Sequence, residues 1–177
     1  VQDEIQPKIK QEHAAALIVL SAKDADRLLA VVKVLYEYLQ TDVNVDLYDM
    51  AYTLQTGREA MQERLGLIVY TIEELAQRLQ ECMQAKQDIK ACYGGKTSAG
   101  KKAKPVPADN IKAWVQAQQY GRLLEHWVNG LSVDWQCLYA EQAAIYDIKP
   151  RHISLPSYPF AKEVYWPGQA YIGDTLV

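Results

Sequence analysis

Cysteine and histidine are scarce in this chain of 177 residues, with three of each. Cys82, Cys92 and Cys137 are odd in number and include no CxxC pair, so neither a zinc site nor a disulfide framework is indicated. Reduced thiols in a cytosolic, intracellular protein are the expectation. His13, His126 and His152 are isolated. Glu125 and Trp127 flank His126, but adjacent helical residues point in different directions. A thiol nucleophile needs a base, and the sequence places none beside Cys92. There is no G-x-S-x-G nucleophile elbow. No glycine-rich phosphate loop follows a candidate strand, the two turns reading SAKD and TIEE. These absences leave no positive evidence for catalysis, a metal site or a cofactor.

Basic charge is not in excess either. Nineteen lysines and arginines against 22 acids give a net charge of −3, which argues against a dedicated nucleic-acid binder. The longest apolar run, AAALIVL at 14–20, is too short to span a bilayer and lacks the layout of a signal peptide. Neither nucleic acid nor membrane is an expected partner.

What is present is enough for a core. Apolar residues make up 49% of the chain and charged residues 23%, too few charges for wholesale disorder. The length suits one domain with a small appendage. Residues 1–15 are polar and aperiodic and read as a lead-in linker cut from a longer polypeptide. Residues 16–20 (ALIVL) suit a strand buried on both faces. Ser21 and Asp24 make a Ser-x-x-Asp start to a helix over 22–39, whose Leu28, Val31, Val32, Leu35, Tyr38 and Leu39 form one apolar stripe. A helix over 45–55, capped by Asn44 and broken by Gly57, carries Leu47, Met50, Ala51 and Leu54.

Residues 64–70 read as a second strand. Thr71 and Glu74 form a capping box for a helix over 71–86 with Ile72, Leu75, Leu79 and Met83. Residues 91–93 suit a short third strand before Gly94 and Gly95. The carboxylates from Glu59 onward read as a surface ion-paired with Arg58 and Arg64. The fold class over 16–95 is α/β in the α+β sense: a small three-stranded sheet with helices packed against it. Leu28, Leu35, Leu54, Leu67, Val69 and Leu75 are its expected core.

Residues 96–106 include four lysines and read as a flexible loop. Over 107–140, Asp109 caps a short helix. A second helix over 119–129 carries Leu123 and stops at Gly130. Ser132 opens a third with Val133, Trp135 and Leu138. Helices this short are marginal alone and must dock. Ile111, Trp114, Val115, Leu124, Trp127, Val128 and Leu131 follow three-four spacing. That stripe suits either a core face or a contact face for a second copy of the chain. In residues 141–177, Pro156 and Pro159 exclude a regular element. Leu155, Pro156, Tyr158, Pro159, Phe160, Tyr165 and Trp166 then lie on an extended strap that needs a groove, on its own domain or on a neighbour.

The strap RHISLPSYPFAKEVYW at 151–166 resembles the segment that leaves the linker subdomain behind ketosynthase domains of modular polyketide synthases. Arg151, Ile153, Ser154, Leu155, Pro156, Tyr158, Pro159, Phe160, Tyr165 and Trp166 carry the likeness, and Ser157 stands where Thr is commoner. LIVLSAKDADRLL at 17–29, DMAYTLQTGREAMQERLGLIV at 49–69 and DWQCLY at 134–139 resemble three further blocks, in family order. Gly66 replaces a usual Ala. Neither a T-A-C-S-S-like ketosynthase motif nor a G-H-S-x-G acyltransferase motif is present.

The sheet-and-helix block runs straight into short helices and the strap. This arrangement is similar to trans-acyltransferase synthases, whose acyltransferase is a separate protein. The tryptophan-rich segment resembles their laterally interacting ketosynthase sequence (LINKS) element, which joins ketosynthase dimers side by side. The resemblance implies a non-catalytic flanking subdomain of a bacterial, cytoplasmic, acyl-transferring synthase, without cofactor. Its implied partners are the ketosynthase of the same polypeptide and a second copy of itself. The competing implication is a docking platform for the free-standing acyltransferase.

Overall fold

A run of aliphatic residues with no polar face has to be covered on both sides, and in β1 (Ala16–Ala22) every residue is buried. The computed structural model describes residues 14–41, 44–85, 89–98 and 102–157. Among these, β1 is followed by α1 (Ala25–Gln40), α2 (Leu47–Thr56), β2 (Glu63–Val69), α3 (Ile72–Met83), β3 (Cys92–Lys96), α4 (Ala108–Gln116), α5 (Tyr120–Val128) and α6 (Trp135–Ile145). The strands form one antiparallel sheet in the order β1-β2-β3, with Ile18 opposite Leu67 and Leu20 opposite Leu65. The expected three-stranded α+β architecture is present. Leu35, Leu54, Leu67, Val69 and Leu75 are buried. Leu28, in the first turn of α1, is only half-buried against this core.

The helix starts differ in detail from the expected ones. Asp24 caps α1, accepting from the Arg27 N–H at 2.8 Å. Ser21 lies within β1, and its hydroxyl accepts from the Met61 N–H at 2.9 Å. Asp46, not Asn44, caps α2 by accepting from the N–H groups of Tyr48 and Asp49. At α3 the capping box forms: the Glu74 N–H donates to Thr71 Oγ1 at 3.1 Å, and the Glu74 carboxylate accepts from the Tyr70 N–H at 3.0 Å. α4 opens on Pro107 without a side-chain cap. Asp109 lies inside its first turn, where the helix dipole favours a carboxylate.

Asp134 caps α6. Ser132 is occupied otherwise: its N–H donates to Lys104 O at 2.9 Å, and its carbonyl accepts from the Val106 N–H at 2.8 Å. The end of the lysine-rich stretch is thereby tied down, with Val106 buried. α6 continues beyond residue 140, because Ala143 and Ala144 are strong helix formers.

α5 lies against β2 and β3. The contact is close because side chains are missing where it is made. A methyl group on Gly66 would meet the Leu124 side chain at 3.0 Å, so Leu124 fills the space that an alanine would occupy. A methyl on Gly95 would fall 2.3 Å from the Val128 carbonyl oxygen, which is backbone and cannot turn aside. Gly94, one residue away, has nothing within 4 Å of a Cβ. Gly95→Ala is therefore expected to lower stability by about 1–3 kcal/mol, the usual cost of overpacking, while Gly94→Ala stays near wild type. Urea unfolding of both variants checks this. Equal effects would mean that α5 does not seat on β3.

Candidate functional site

Four residues of α2, Asp49, Tyr52, Thr53 and Thr56, follow i, i+3, i+4, i+7 and so share one helical face. That face holds the strap. The Arg151 N–H donates to Asp49 Oδ1 at 2.8 Å, and the Ile153 N–H donates to Thr53 Oγ1 at 3.0 Å. Thr53 in turn donates to the Asp49 carbonyl at 2.8 Å. Between these clamps the His152 ring stacks on Tyr52, with centroids 4.6 Å apart. Thr56 gives its hydroxyl proton to Tyr52 O at 2.8 Å, which leaves its oxygen to accept from His152 Nε2–H at 2.6 Å. Ile148 is fully buried. Leu155 and Pro156 reach a groove formed by Leu20, Val31, Val34, Leu35 and Leu54. Tyr158, Pro159, Phe160, Tyr165 and Trp166 lie outside the described residues.

α2 also closes the outer edge of the sheet. The Gln55 amide donates to Leu17 O at 2.7 Å and accepts from the Tyr139 hydroxyl at 2.6 Å. Gln142 of α6 donates to Ala15 O at 3.2 Å, and the Tyr48 hydroxyl donates to Ala14 O at 2.7 Å. Burial raises the pKa values of Tyr139 and Tyr120 above the ordinary phenol value, so both stay neutral donors at physiological pH. None of these polar residues was singled out from the sequence. The signal was there in the polar-aromatic stripe at 49, 52, 53 and 56, which runs beside the apolar stripe of the same helix.

The seven residues expected to face either core or a second copy divide unevenly. Ile111, Val115, Leu124, Trp127 and Val128 are buried within the chain. Trp114 and Leu131 are half-buried. Trp114 stacks on His126, with centroids 4.7 Å apart, and His126 Nδ1–H donates to Arg122 O at 2.7 Å. Arg64 is not a surface ion pair, contrary to expectation. It is buried, donates to the carbonyls of Met61 and Trp127 at 2.8 Å each, and lies over the Trp127 ring. As the second residue of β2 it points into the α5 interface, where the helix C-terminus favours a cation. Burial lowers its pKa from the usual guanidinium value.

A cavity of about 260 Å³ beside it is lined by Ser21, Gln55, Arg58, Glu59, Arg64, Trp127, Ser132 and Trp135 among others. Its lining holds charge but contains no histidine or cysteine to pair with a serine. Among the described residues, no three His, Cys, Asp or Glu side chains gather as metal ligands, and no helix is long and apolar enough to cross a membrane.

Gln55→Leu strands Leu17 O and the Tyr139 hydroxyl in a dry interior, at about 1–3 kcal/mol for each unpaired group. Tyr139→Phe strands the Gln55 oxygen. The double variant Gln55→Leu/Tyr139→Phe is expected to lose less than the sum of the single losses, because the groups share one network. Strict additivity in urea titrations would contradict the network.

Residues 19–86 match a family model described as the RhiE-like, KS-MAT linker domain. The chain is 40% identical over 170 residues to polyketide synthase PksL of Bacillus subtilis, covering 92% of this chain, and 43% identical over 169 residues to PksM of the same organism, covering 90%. It spans 4% of the length of each of these curated relatives. Among solved structures, the ketosynthase from module 6 of the bacillaene synthase from Bacillus subtilis is 31% identical with a TM-score of 0.69, over 84% of this chain and 28% of that one. With the α2 motif block, the sheet and the described start of the strap in place, residues 19–86 belong to the RhiE-like, KS-MAT linker family, and the chain as a whole is similar to stretches of polyketide synthases.

Proposed function

We propose that this chain is a non-catalytic spacer behind a ketosynthase of a trans-acyltransferase synthase, which fixes the path of the polypeptide leaving it. The observation that carries this reading is the strap. Its backbone is held by Asp49 and Thr53 across about a hundred residues of sequence. Side chains of the motif block at 49–69 are spent on structure: on the strap, on the edge of β1 and on α5. The ketosynthase of the same polypeptide is the neighbour this arrangement suits. On this reading the chain does not turn over acyl thioesters. Incubation with an acyl-carrier thioester should give no stable acyl adduct on Cys82, Cys92 or Cys137 by mass spectrometry, and an adduct overturns the non-catalytic reading.

The finer part of the proposal is that α4–α6 form a lateral contact between copies, as a LINKS element does. Its support is Trp114, an aromatic of the type enriched in interface hot spots, half-buried beside the exposed Lys112, Ala113 and Gln116. Ile111 and Val115 are fully buried, so a charge there would unfold the chain rather than test the contact. Trp114→Glu is the better probe. It should leave the circular dichroism and melting curve close to wild type while lowering self-association in sedimentation velocity. A wild-type chain that stays monomeric at all concentrations sinks the lateral reading. Binding of a free-standing acyltransferase by that monomer would favour the docking platform instead.

A further inference from the structure

Cys82 and Cys92 are ten residues apart in sequence, and the fold brings them face to face. On α3, Leu75 and Leu79 are fully buried, and Cys82 continues their stripe three residues on. On β3, the Tyr93 hydroxyl lies against Gly121 of α5. Alternation along the strand then turns Cys92 to the opposite face, toward α3. Both thiols are half-buried and pack on the same core, and each lies within electrostatic reach of the other. Arg78, one turn before Cys82, is held by Glu74 at 3.7 Å and Glu81 at 3.5 Å. Its Nε is buried without a hydrogen-bond partner in this cluster.

We propose that Cys82 and Cys92 are a dithiol site that a hydroperoxide oxidises to an intramolecular disulfide, tying the end of α3 to the edge strand β3. The neighbouring Cys82 thiol, aided by the Arg78 charge, holds the Cys92 pKa below the ordinary thiol value, which favours Cys92 as the attacking sulfur. The neighbouring Cys92, together with burial, pushes the Cys82 pKa up. The Cys92 thiolate attacks one peroxide oxygen, the O–O bond breaks, and a sulfenic acid forms as hydroxide leaves and takes up a proton. The Cys82 sulfur then attacks the Cys92 sulfur, the S–O bond breaks, and water leaves with the Cys82 proton. Two electrons pass from the sulfurs to the peroxide, and hydrogen peroxide ends as two waters. Cys137 offers an internal control: burial and a hydrogen bond to Asp134 raise its pKa and keep it a thiol.

The test uses the whole chain. It is exposed to graded hydrogen peroxide, blocked with N-ethylmaleimide and digested with trypsin. Cleavage after Arg78, Lys86, Lys90 and Lys96 places Cys82 in peptide 79–86 and Cys92 in peptide 91–96. The disulfide therefore joins two separate peptides, at a mass two hydrogens below their sum. The expected result is that this pair appears first, that Cys137 carries maleimide, and that dithiothreitol releases both peptides. In Cys82→Ser, the Cys92 sulfenic acid should persist and be trapped by dimedone. If Cys82 and Cys92 are alkylated while Cys137 is oxidised, the proposal is overturned. It is equally overturned if links to Cys137 or between chains dominate, or if all three thiols oxidise at one rate.

Discussion

The outer edge of β1 is the constraint on which the rest of the structure depends. β1 is the end strand of the sheet, yet it is buried on both faces. An end strand carries a row of backbone groups with no neighbouring strand to pair with, and in a dry setting each orphan is costly. Among the described residues the fold answers with side chains: Gln55 donates to the carbonyl of Leu17 in β1, and Gln142 and Tyr48 donate to those of Ala15 and Ala14 in the segment that leads into it. Because these donors come from α2 and α6, and Tyr139 of α6 holds the Gln55 amide, the edge and the segment leading into it are satisfied only once α6 is in place. The sheet and the tryptophan-rich helices are thus one cooperative body, although the sequence between them reads as a loop.

That closure fixes α2, and α2 fixes the strap. One face of the helix gives Leu47, Met50, Ala51 and Leu54 to the core. The other gives Asp49, Tyr52, Thr53 and Thr56 to the departing chain. Tyr52 joins the two jobs: it takes His152 on one side, packs edge-on against Tyr139 on another, and accepts from Gln136 at 3.0 Å. Aromatic contacts of this kind add about 0.5–1.5 kcal/mol beyond burial. Up to residue 157 the strap is thus held on a set course against α2, and a set course is what the proposed spacer would need.

The sheet and its helices were legible because their signals are periodic. ALIVL at 16–20 has no polar face, and the stripes of α1 and α3 run at helical spacing. Which oxygen caps a helix was less legible, since Ser21, Asp24, Asn44 and Asp46 all qualify by type and only the turn geometry chooses among them. Arg64 was misread because spacing to its acidic neighbours cannot reveal that the strand turns it inward onto Trp127. The thiol pair was invisible for a similar reason: a ten-residue separation says nothing until α3 and β3 are superposed on one core. Three-four spacing in α4 and α5 correctly marked apolar faces, but spacing does not say what covers a face.

The monomer's own core consumes five of the seven residues on that stripe, and their burial is worth about 1.5–3 kcal/mol for each large aliphatic side chain. No partner could compete for them without unfolding α4 and α5. A contact between copies has to be built from what remains around Trp114 and Leu131, and such a surface is small. A small surface barely offsets the entropy lost on association. Its strength would then come from repetition, since copies linked through neighbouring domains, as the proposed function implies, would meet at a high effective concentration. The same residues that make a weak dimer of the isolated chain would suffice to align linked copies, and a stronger contact would be hard to reverse during assembly.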